Sequence, residues 1–332
     1  MRILLTHTPD ALRHYYGDEA LAALRKLGNV KLHPGDAPLG TADLIEQARG
    51  CDIIIADRQT RGEAAVFEEL PDLVAFLRCA MDIRNIDCAA ADRAGVLVTR
   101  ATAGFIDAVA ELAIGLIVDL ARGVSAAVTA YRAGNLPPIR MGVQLSHSSI
   151  GIVGYGAIGR RVADLAHALG MTVLVSDPLV QATELHVRQV PLDRLLQAAK
   201  FVVCLAPATP ETEKLMGARA FATMQAGSYF INLARGELVD EAALAAALDS
   251  GHLAGAAIDV GRAADQMPSL FLAQRADVIA TPHIGGLTPE AVSHQAFDTV
   301  RQVEALTRGR LPDGAVNADA AIRLSRLGVT AG

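Results

Sequence analysis

One stretch of this chain constrains its fold more than any other. From Ser149 to Pro178 the sequence reads SIGIVGYGAIGRRVADLAHALGMTVLVSDP. An apolar run leads into three glycines, an amphipathic segment follows, and a second apolar run ends at Asp177. Short apolar runs bounded by glycine are typical of buried strands, and apolar residues at helical spacing are typical of helices. The stretch therefore predicts a strand–helix–strand unit with parallel strands.

The three glycines have separate roles in such a unit. Gly154 permits a tight turn, Gly156 lets the backbone approach a pyrophosphate, and Gly159 lets helix and strand pack closely. The free N–H groups at the start of the helix favour an anion there. Asp177 lies 18 residues after Gly159, near the spacing expected for an acid that accepts hydrogen bonds from an adenosine ribose. A carboxylate there also repels a 2′-phosphate, so the pattern favours NAD over NADP.

Strand–helix alternation extends over most of the chain. Before residue 100, the predicted strands are Ile3–Leu5, Val30–Leu32, Asp52–Ala56, Leu73–Leu77 and Val96–Val98. The predicted helices between them lie near Asp18–Leu27, Ala42–Arg49, Glu63–Glu69 and Asp87–Arg93. A second series starts at Ser149 and contains six strand candidates: SIGIVG, MTVLVSD, KFVVCLA, GSYFINL, AGAAIDV and ADVIATP. The fold class predicted from both series is α/β, with two doubly wound parallel-sheet domains.

More helices are predicted in and around the second series. The candidates there are Ala157–Leu169, Leu192–Ala199, Ala218–Met224, Glu241–Ser250 and Pro289–Arg308. Between the two series, Ala108–Arg122 is apolar on most of its circumference and predicts a long, largely buried helix. The segment YRAGNLPPIRMG, which follows from Tyr131, predicts an irregular arm.

Composition excludes several classes of function. Among the 332 residues, 52% are hydrophobic and 20% are charged, which argues against disorder. A net charge of −6 argues against nucleic acid or an anionic membrane surface as the partner. Four cysteines without a pairing pattern (Cys51, Cys79, Cys88 and Cys204), and an N-terminal apolar run too short for a signal peptide, predict a cytoplasmic protein with buried, reduced thiols.

From Ile150 onward the sequence resembles the NAD-binding domain of the D-isomer-specific 2-hydroxyacid dehydrogenases. The matching stretches, in the family's order, are GIVGYGAIGRRVA, LAPATPETEKLM, INLARGELVDEAALAAAL, LAGAAIDV and TPHIGG. Two N-terminal stretches, NIDCAAADRAGVLVT and VAELAIGLIVDLAR, also resemble the family. The resemblance implies a flavodoxin-like substrate domain at 1–101 and 288–332, with a Rossmann NAD domain at 102–287 inserted into it. It also implies a homodimer formed through the NAD domain, with the Ala108–Arg122 helix and the arm in the interface.

The resemblance assigns roles to individual residues. Arg235 matches the family's substrate-binding arginine, His283 its catalytic acid/base, and Asp259 the residue near the nicotinamide carboxamide. A guanidinium holds a carboxylate with directed donors, and a histidine exchanges protons near neutral pH. The cofactor contacts implied for NAD are Gly154, Tyr155, Gly156, Ala157, Ile158, Gly159, Asp177, Ala206, Pro207, Thr212, Ala234, Arg235, Asp259, His283 and Gly285. The substrate contacts implied are Arg58, Met81, Asp82 and Arg235, and no metal is expected.

The sequence departs from the family pattern beside the catalytic histidine. The family has a glutamate, which orients this histidine, where Ala264 stands here. Asp265 is one candidate for the missing carboxylate, and Gln266 is another as a neutral partner, as in formate dehydrogenases. The third interpretation is that Asp265 is a loop residue that does not contact His283.

The substrate loop departs from the pattern as well. Its glycines are replaced by Ala80 and Asp82, and Asp82 would repel an anion unless a cation such as Arg84 pairs with it. Arg58, Arg84 and Arg100 at predicted strand ends or in loops could bind a second acidic group, but three solvated arginines is the preferred interpretation.

The function predicted from the sequence is hydride transfer between NAD and a 2-oxo acid or D-2-hydroxy acid. His283 would act as general acid/base, Arg235 would bind the carboxylate, and Asp265 would be a third catalytic residue. The alternatives are a weakly catalytic NAD(H)-binding regulator of the same fold and a formate- or phosphite-type dehydrogenase. Retention of both Arg235 and His283 argues against the regulator.

Overall fold

The structure is a computed structural model and describes residues 1–263 and 266–329. The chain divides into two compact units, one formed by Met1–Gly104 with Pro289–Gly332 and the other by Phe105–Thr288. Each unit is built around its own parallel β-sheet, so the predicted α/β class with two parallel-sheet domains is confirmed.

The first unit contains a five-stranded sheet in the order β2-β1-β3-β4-β5. Its strands are β1 (Arg2–Leu5), β2 (Asn29–Leu32), β3 (Ile53–Ala56), β4 (Ala75–Arg78) and β5 (Leu97–Thr99). Its helices are α1 (Pro9–Tyr15), α2 (Asp18–Arg25), α3 (Thr41–Ala48), α4 (Ala64–Glu69), α5 (Cys88–Ala94) and the late helix α13 (Pro289–Thr307).

Both faces of the first sheet are covered by apolar side chains. One core joins strand residues such as Ile55 and Leu77 to α2 and to Val303 and Leu306 of α13. The other core joins Ile54 and Phe76 to helices α3, α4 and α5. The two ends of the chain therefore complete one folded unit.

The second unit contains a seven-stranded sheet in the order β12-β11-β10-β9-β6-β7-β8. Its strands are β6 (Ser149–Val153), β7 (Thr172–Ser176), β8 (Val187–Gln189), β9 (Phe201–Cys204), β10 (Ser228–Asn232), β11 (Leu253–Ile258) and β12 (Val278–Ala280). Its helices are α6 (Ile106–Arg122), α7 (Val124–Arg132), α8 (Ala157–Ala168), α9 (Leu192–Ala198), α10 (Ala218–Thr223), α11 (Glu241–Asp249) and α12 (Leu270–Ala273). Short 3₁₀ turns occupy Pro210–Thr212 and Gly236–Leu238.

Two elements of the second unit depart from the prediction. The six predicted strands are present, but the sheet gains β8, a short edge strand that is mostly exposed and lacks an apolar run. Residues after Gly123 form α7, which contains no buried residue and includes Tyr131 and Arg132, the first two residues of the predicted irregular arm. Gly123, with a left-handed φ of +67°, separates α6 from α7 and allows the sharp change in direction.

The four cysteines are free thiols, three of them buried and Cys88 half-buried. In the described part of the chain no single helix is long and apolar enough to cross a membrane. Helices α6 and α7 reach that length and apolar character only when they are taken together, and the pair is bent by 67° at the break between them.

Candidate active site

The glycine-rich turn after β6 has the backbone geometry that its sequence predicts. Gly154 adopts a left-handed φ of +96°, and a Cβ there would lie 2.6 Å from the backbone nitrogen of Ala206. A Cβ on Gly159 would lie 2.4 Å from the carbonyl oxygen of Gly154, so α8 packs directly on the turn. At Gly156, which precedes α8, a Cβ would meet nothing within 4 Å. The turn therefore leaves open space beside Gly156.

Asp177 follows β7 and its carboxylate is held by backbone donors. Its Oδ2 accepts from the Tyr155 N–H at 2.7 Å, and its Oδ1 accepts from the N–H groups of Leu179 and Val180 at 2.8 and 3.0 Å. Burial raises the pKa of Asp177, but these three hydrogen bonds and the nearby Arg160 charge outweigh it and lower the pKa overall. Asp177 is therefore ionised at neutral pH and fixed beside the glycine turn.

The loop after β9 lies next to the glycine turn, because β9 and β6 are neighbours in the sheet. Ala206 contacts the turn at Gly154. The Thr212 hydroxyl donates to the Pro207 carbonyl at 2.7 Å and accepts from the Thr209 N–H at 2.8 Å. Thr212 thus structures this loop from within.

Arg235 follows β10 and is half-buried. The buried side chain of Asn232 fixes its backbone, accepting from the Ala234 N–H at 3.1 Å and donating to the Arg235 carbonyl at 3.0 Å. Arg235 Nη1 also donates to the Ala234 carbonyl at 2.6 Å. The strand end and one amide side chain therefore set the direction in which this guanidinium leaves the loop.

His283 lies in the loop after β12 with a left-handed φ of +56°. That backbone conformation is uncommon for a residue with a side chain and needs support from its surroundings. Asp259, 2% exposed at the end of β11, provides it. Its carboxylate accepts from the Thr281 hydroxyl at 2.6 Å and from the backbone N–H groups of Ile284 and Gly285, both at 2.8 Å. Asp259 therefore holds the loop on both sides of His283.

These loops share one edge of the second sheet. They follow β12, β11, β10, β9, β6 and β7, which are consecutive neighbours in a sheet whose pairings are all parallel. The carboxyl ends of parallel strands meet at one edge, and ligands of such sheets bind where the strand order reverses. That reversal lies between β6 and β9, at Gly154 and Ala206.

The candidates for a partner of His283 lie after β11. Ala264 and Asp265 fall outside the described residues. Gln266 has a left-handed φ of +60°, and its Oε1 is buried with no hydrogen-bond partner in the described part of the chain. Its backbone is anchored, since its carbonyl accepts from the Gly261 N–H at 2.8 Å.

In the first unit, the predicted substrate residues follow β3 and β4. Arg58 is in the loop after β3, and Met81 and Asp82 are in the loop after β4. Arg84 donates to Asp82 from Nε at 3.1 Å and from Nη2 at 2.8 Å. The Asp82 carboxylate is therefore paired with a cation, as the sequence suggested it would need to be.

Sequence reasoning missed the residue that organises these two loops. Arg78, the last residue of β4, is fully buried. It donates to the carbonyls of Asp57 and Thr60 and, at 2.6 Å, to Asn85 Oδ1. Asn85 in turn donates to the Arg58 carbonyl at 3.2 Å. The signal for Arg78 in the sequence was its position as the single charged residue at the end of the apolar run VAFLR.

Comparison with known proteins identifies the family. Residues 114–285 match the family model described as D-isomer specific 2-hydroxyacid dehydrogenase, NAD binding domain. The chain belongs to this family. NAD is the cofactor of the matched domain.

The chain has relatives of known name and known structure. It is 34% identical over 307 residues to D-3-phosphoglycerate dehydrogenase 2, chloroplastic, of Arabidopsis thaliana, covering 91% of this chain and 49% of that protein. The chain thus spans about half the length of the curated relatives it matches. The TT0316 protein of Thermus thermophilus superposes with a TM-score of 0.85 at 30% identity, covering 95% of this chain and 100% of that one. D-lactate dehydrogenase with NAD+ from Lactobacillus jensenii gives 0.82 at 26% identity, covering 95% and 99%.

The glycine turn of this chain fits the cofactor that its family uses. The space beside Gly156 allows a pyrophosphate to approach the backbone, and the first N–H groups of α8 supply donors for it. Asp177 is ionised and adjacent, as a ribose acceptor must be. No group of His, Cys, Asp and Glu among the described residues could hold a metal ion.

Proposed function

We propose that this chain is an NAD-dependent oxidoreductase that interconverts a 2-oxo acid and a D-2-hydroxy acid. One observation carries the proposal: the loops of Arg235, Asp259 and His283 follow three neighbouring strands at the same sheet edge as the glycine turn. A cation for a carboxylate, a proton donor and a nucleotide turn on one edge are the requirements of this chemistry.

The residues of the glycine turn would hold NAD(H), which when bound would supply or accept the hydride of this reaction. Arg235 binds the substrate carboxylate with two directed donors and orients the carbonyl. His283 gives a proton to the carbonyl oxygen during reduction and removes it during oxidation. Asp259 fixes the His283 loop through its three hydrogen bonds, so the imidazole is placed before substrate arrives. For the partner of His283, Asp265 and Gln266 both stay as candidates.

The cofactor contacts proposed are those that line this sheet edge. Backbone groups from Gly154 to Gly159 would hold the pyrophosphate, and Asp177 would accept from the ribose. The remaining proposed contacts are Ala206, Pro207, Thr212, Ala234, Arg235, Asp259, His283 and Gly285. In the first unit, Arg58, Met81 and Asp82 are proposed to contact substrate. Because Arg84 pairs with Asp82, that carboxylate need not repel an acidic substrate.

The test is NADH consumption with a panel of acids at mildly acidic to neutral pH. The panel is glyoxylate, hydroxypyruvate, pyruvate, phenylpyruvate, oxaloacetate and 2-oxoglutarate, with oxidation of 3-phosphoglycerate added because of the curated relatives' names. Turnover should require His283, and His283→Ala should lower kcat by about 10²–10⁴-fold with a much smaller effect on NADH affinity. Turnover that survives His283→Ala would refute the assignment.

A second candidate is an NAD(H)-binding regulator with little activity. The alanine at position 264, where the family has a glutamate, favours it. Tight NADH binding without turnover of any acid would support the regulator. Oxidation of formate or phosphite would instead support the other alternative, a formate- or phosphite-type dehydrogenase.

We propose a homodimer formed through the second unit, in the cytoplasm. The arm after α7 carries apolar side chains that no described residue covers: Leu136 is 87% exposed, and Ile139 and Met141 are fully exposed. Large apolar side chains clustered on a surface mark an interaction site. The free cysteines support a reducing compartment.

A further inference from the structure

A cluster of three side chains includes the tyrosine of the glycine turn. Tyr155 is 1% exposed, and the Arg160 guanidinium carbon lies 4.6 Å from the centroid of its ring. Arg160 Nη1 donates to Glu184 Oε1, and the Tyr155 hydroxyl also faces that carboxylate. We call Tyr155, Arg160 and Glu184 the Tyr155 clamp.

The Tyr155 clamp is tied directly to Asp177. The N–H of Tyr155 donates to Asp177 Oδ2, and the Arg160 charge contributes to lowering the pKa of Asp177. Glu184 belongs to the segment that leads from Asp177 to β8. The Gln189 side chain holds the start of that segment by donating to the Asp177 and Val180 carbonyls, both at 2.9 Å.

Arg160 is an unexpected residue for this position. It is the fourth residue of α8, where a cation is unfavourable because it lies near the positive end of the helix dipole. An arginine beside the ribose site is also the group that accommodates the 2′-phosphate of NADP. An uncommitted guanidinium here would therefore weaken the preference for NAD that Asp177 provides.

Glu184 occupies that guanidinium. Its own backbone N–H, the Tyr155 hydroxyl, the Thr183 N–H and Arg160 lower the pKa of Glu184 to about 2, so it is ionised at neutral pH. An arginine that lies over an aromatic ring and is paired with a carboxylate has fewer donors left to offer a phosphate.

We propose that Glu184 is a positioning residue for cofactor selectivity: it holds Arg160 on Tyr155 and so denies the 2′-phosphate of NADP its cation. The inference rests on the proposed role of Asp177 in ribose binding. Selectivity for NAD then comes from two carboxylates, one that repels the 2′-phosphate and one that sequesters the nearby cation.

The test compares the dissociation constants of NADPH and NADH, read from cofactor fluorescence in a chain without tryptophan. Glu184→Ala should lower the ratio Kd(NADPH)/Kd(NADH) by about tenfold, because a charge-assisted hydrogen bond to the 2′-phosphate becomes available. The matched control is Asp107→Ala, since Asp107 pairs with Arg161, the next residue of α8, at 2.6 Å. That control removes the same charge and should change the ratio by less than about twofold.

A double variant separates selectivity from mere structure. Adding Arg160→Gln to Glu184→Ala should return the ratio to the wild-type value, because the released cation is then gone. An unchanged ratio in Glu184→Ala, or a lowered ratio that persists in the double variant, would overturn the inference. A purely structural role for Glu184 would weaken both cofactors equally and leave the ratio unchanged.

Asp177→Asn distinguishes this failure from failure of the proposed nucleotide site. If Asp177→Asn leaves NADH affinity unchanged, the ribose assignment fails. If it weakens NADH while Glu184→Ala leaves the ratio unchanged, only the role of Glu184 fails.

Discussion

At the scale of the residue, Asp259 shows how one buried carboxylate can hold a loop on both sides of a histidine. Its two oxygens accept three hydrogen bonds from residues 281, 284 and 285, which flank His283. The sequence indicated an acid at this strand end but could not show its partners. They lie 22 to 26 residues away and depend on the pairing of β11 with β12.

Asp259→Asn should disturb this loop, because the amide N–H₂ would face hydrogen-bond donors of the loop that now donate to the carboxylate. We expect a loss of about 1–3 kcal/mol in the free energy of unfolding and a fall in kcat, measured by urea denaturation and by steady-state kinetics. Asp249→Asn is the control: Asp249 is 66% exposed and pairs with Arg275, so its loss should cost less than about 0.5 kcal/mol. Equal effects of the two variants would contradict the role of Asp259.

His7 predicts a pH dependence of stability for the first unit. It is 3% exposed beside Tyr16, and burial, with a smaller contribution from Arg78 and against the pull of Asp57, lowers its pKa from 6.5 to about 4. Between these values the unfolded chain binds a proton that the folded chain does not. The titration of His7 therefore leaves the free energy of unfolding unchanged above pH 6.5. As the pH falls toward 4, it lowers the free energy of unfolding by up to about 3 kcal/mol.

The measurement is the urea midpoint of unfolding at pH 7 and pH 4.5. His7→Phe, which keeps a ring against Tyr16, should flatten the difference between the two pH values. His14→Phe changes an exposed histidine and should leave the difference as in the wild type. A wild-type difference that His7→Phe does not reduce would show that other groups dominate.

At the scale of the element, the glycines of the β6–α8 turn should separate stability from cofactor binding. Gly159→Ala places a methyl group 2.4 Å from a backbone carbonyl, so α8 must shift and the protein should lose stability. Gly156→Ala meets no protein atom and needs no strained φ, so it should leave the melting temperature nearly unchanged. It should nevertheless weaken NADH binding by about tenfold or more, because the methyl group occupies the pyrophosphate approach.

Thermal unfolding and NADH fluorescence titration of both variants check this expectation. If Gly156→Ala binds NADH as the wild type does, the pyrophosphate lies elsewhere and the site must be reassigned.

Strands with clear apolar runs were predicted, and the two elements of the second unit without an apolar pattern were missed. The apolar runs of β1, β3, β4 and the β6–α8–β7 unit identify themselves. The edge strand β8 has no such run, and α7 buries no side chain, so neither has a pattern that one chain's core would impose. Helix α1 did carry a signal that was overlooked, since Thr8 caps it and Pro9 occupies its first turn.

At the scale of the whole molecule, the exposed arm predicts self-association. Ile139 is fully exposed, and α7 contributes Tyr131, which is 63% exposed. Ile139→Asp should therefore convert a dimer to a monomer in sedimentation equilibrium without lowering the melting temperature of the monomer unit. Leu185→Asp, at an equally exposed apolar residue far along the chain, is the control and should leave the mass unchanged. A wild-type chain that sediments as a monomer at micromolar concentration would contradict the interface.

The arrangement of both chain ends in one unit was accessible only through the resemblance. Helical periodicity predicts α13, but nothing local shows that Val303 and Leu306 pack with β1, β3 and β4. The catalytic assignments depended on the same resemblance, because a lone arginine or histidine after a strand has no distinguishing pattern of its own. By contrast, Arg78 and Glu184 act through contacts that only the folded chain displays.

The most direct test of the proposed function is to follow the transferred hydride itself. NADH carrying deuterium at the transferred position of the nicotinamide is incubated with the best 2-oxo acid of the panel, and the product is analysed by mass spectrometry and chiral chromatography. The proposed function predicts one deuterium on C2 of a D-2-hydroxy acid, with formation greatly slowed in His283→Ala. An L product, or no deuterium in any product while NADH still binds tightly, would contradict it.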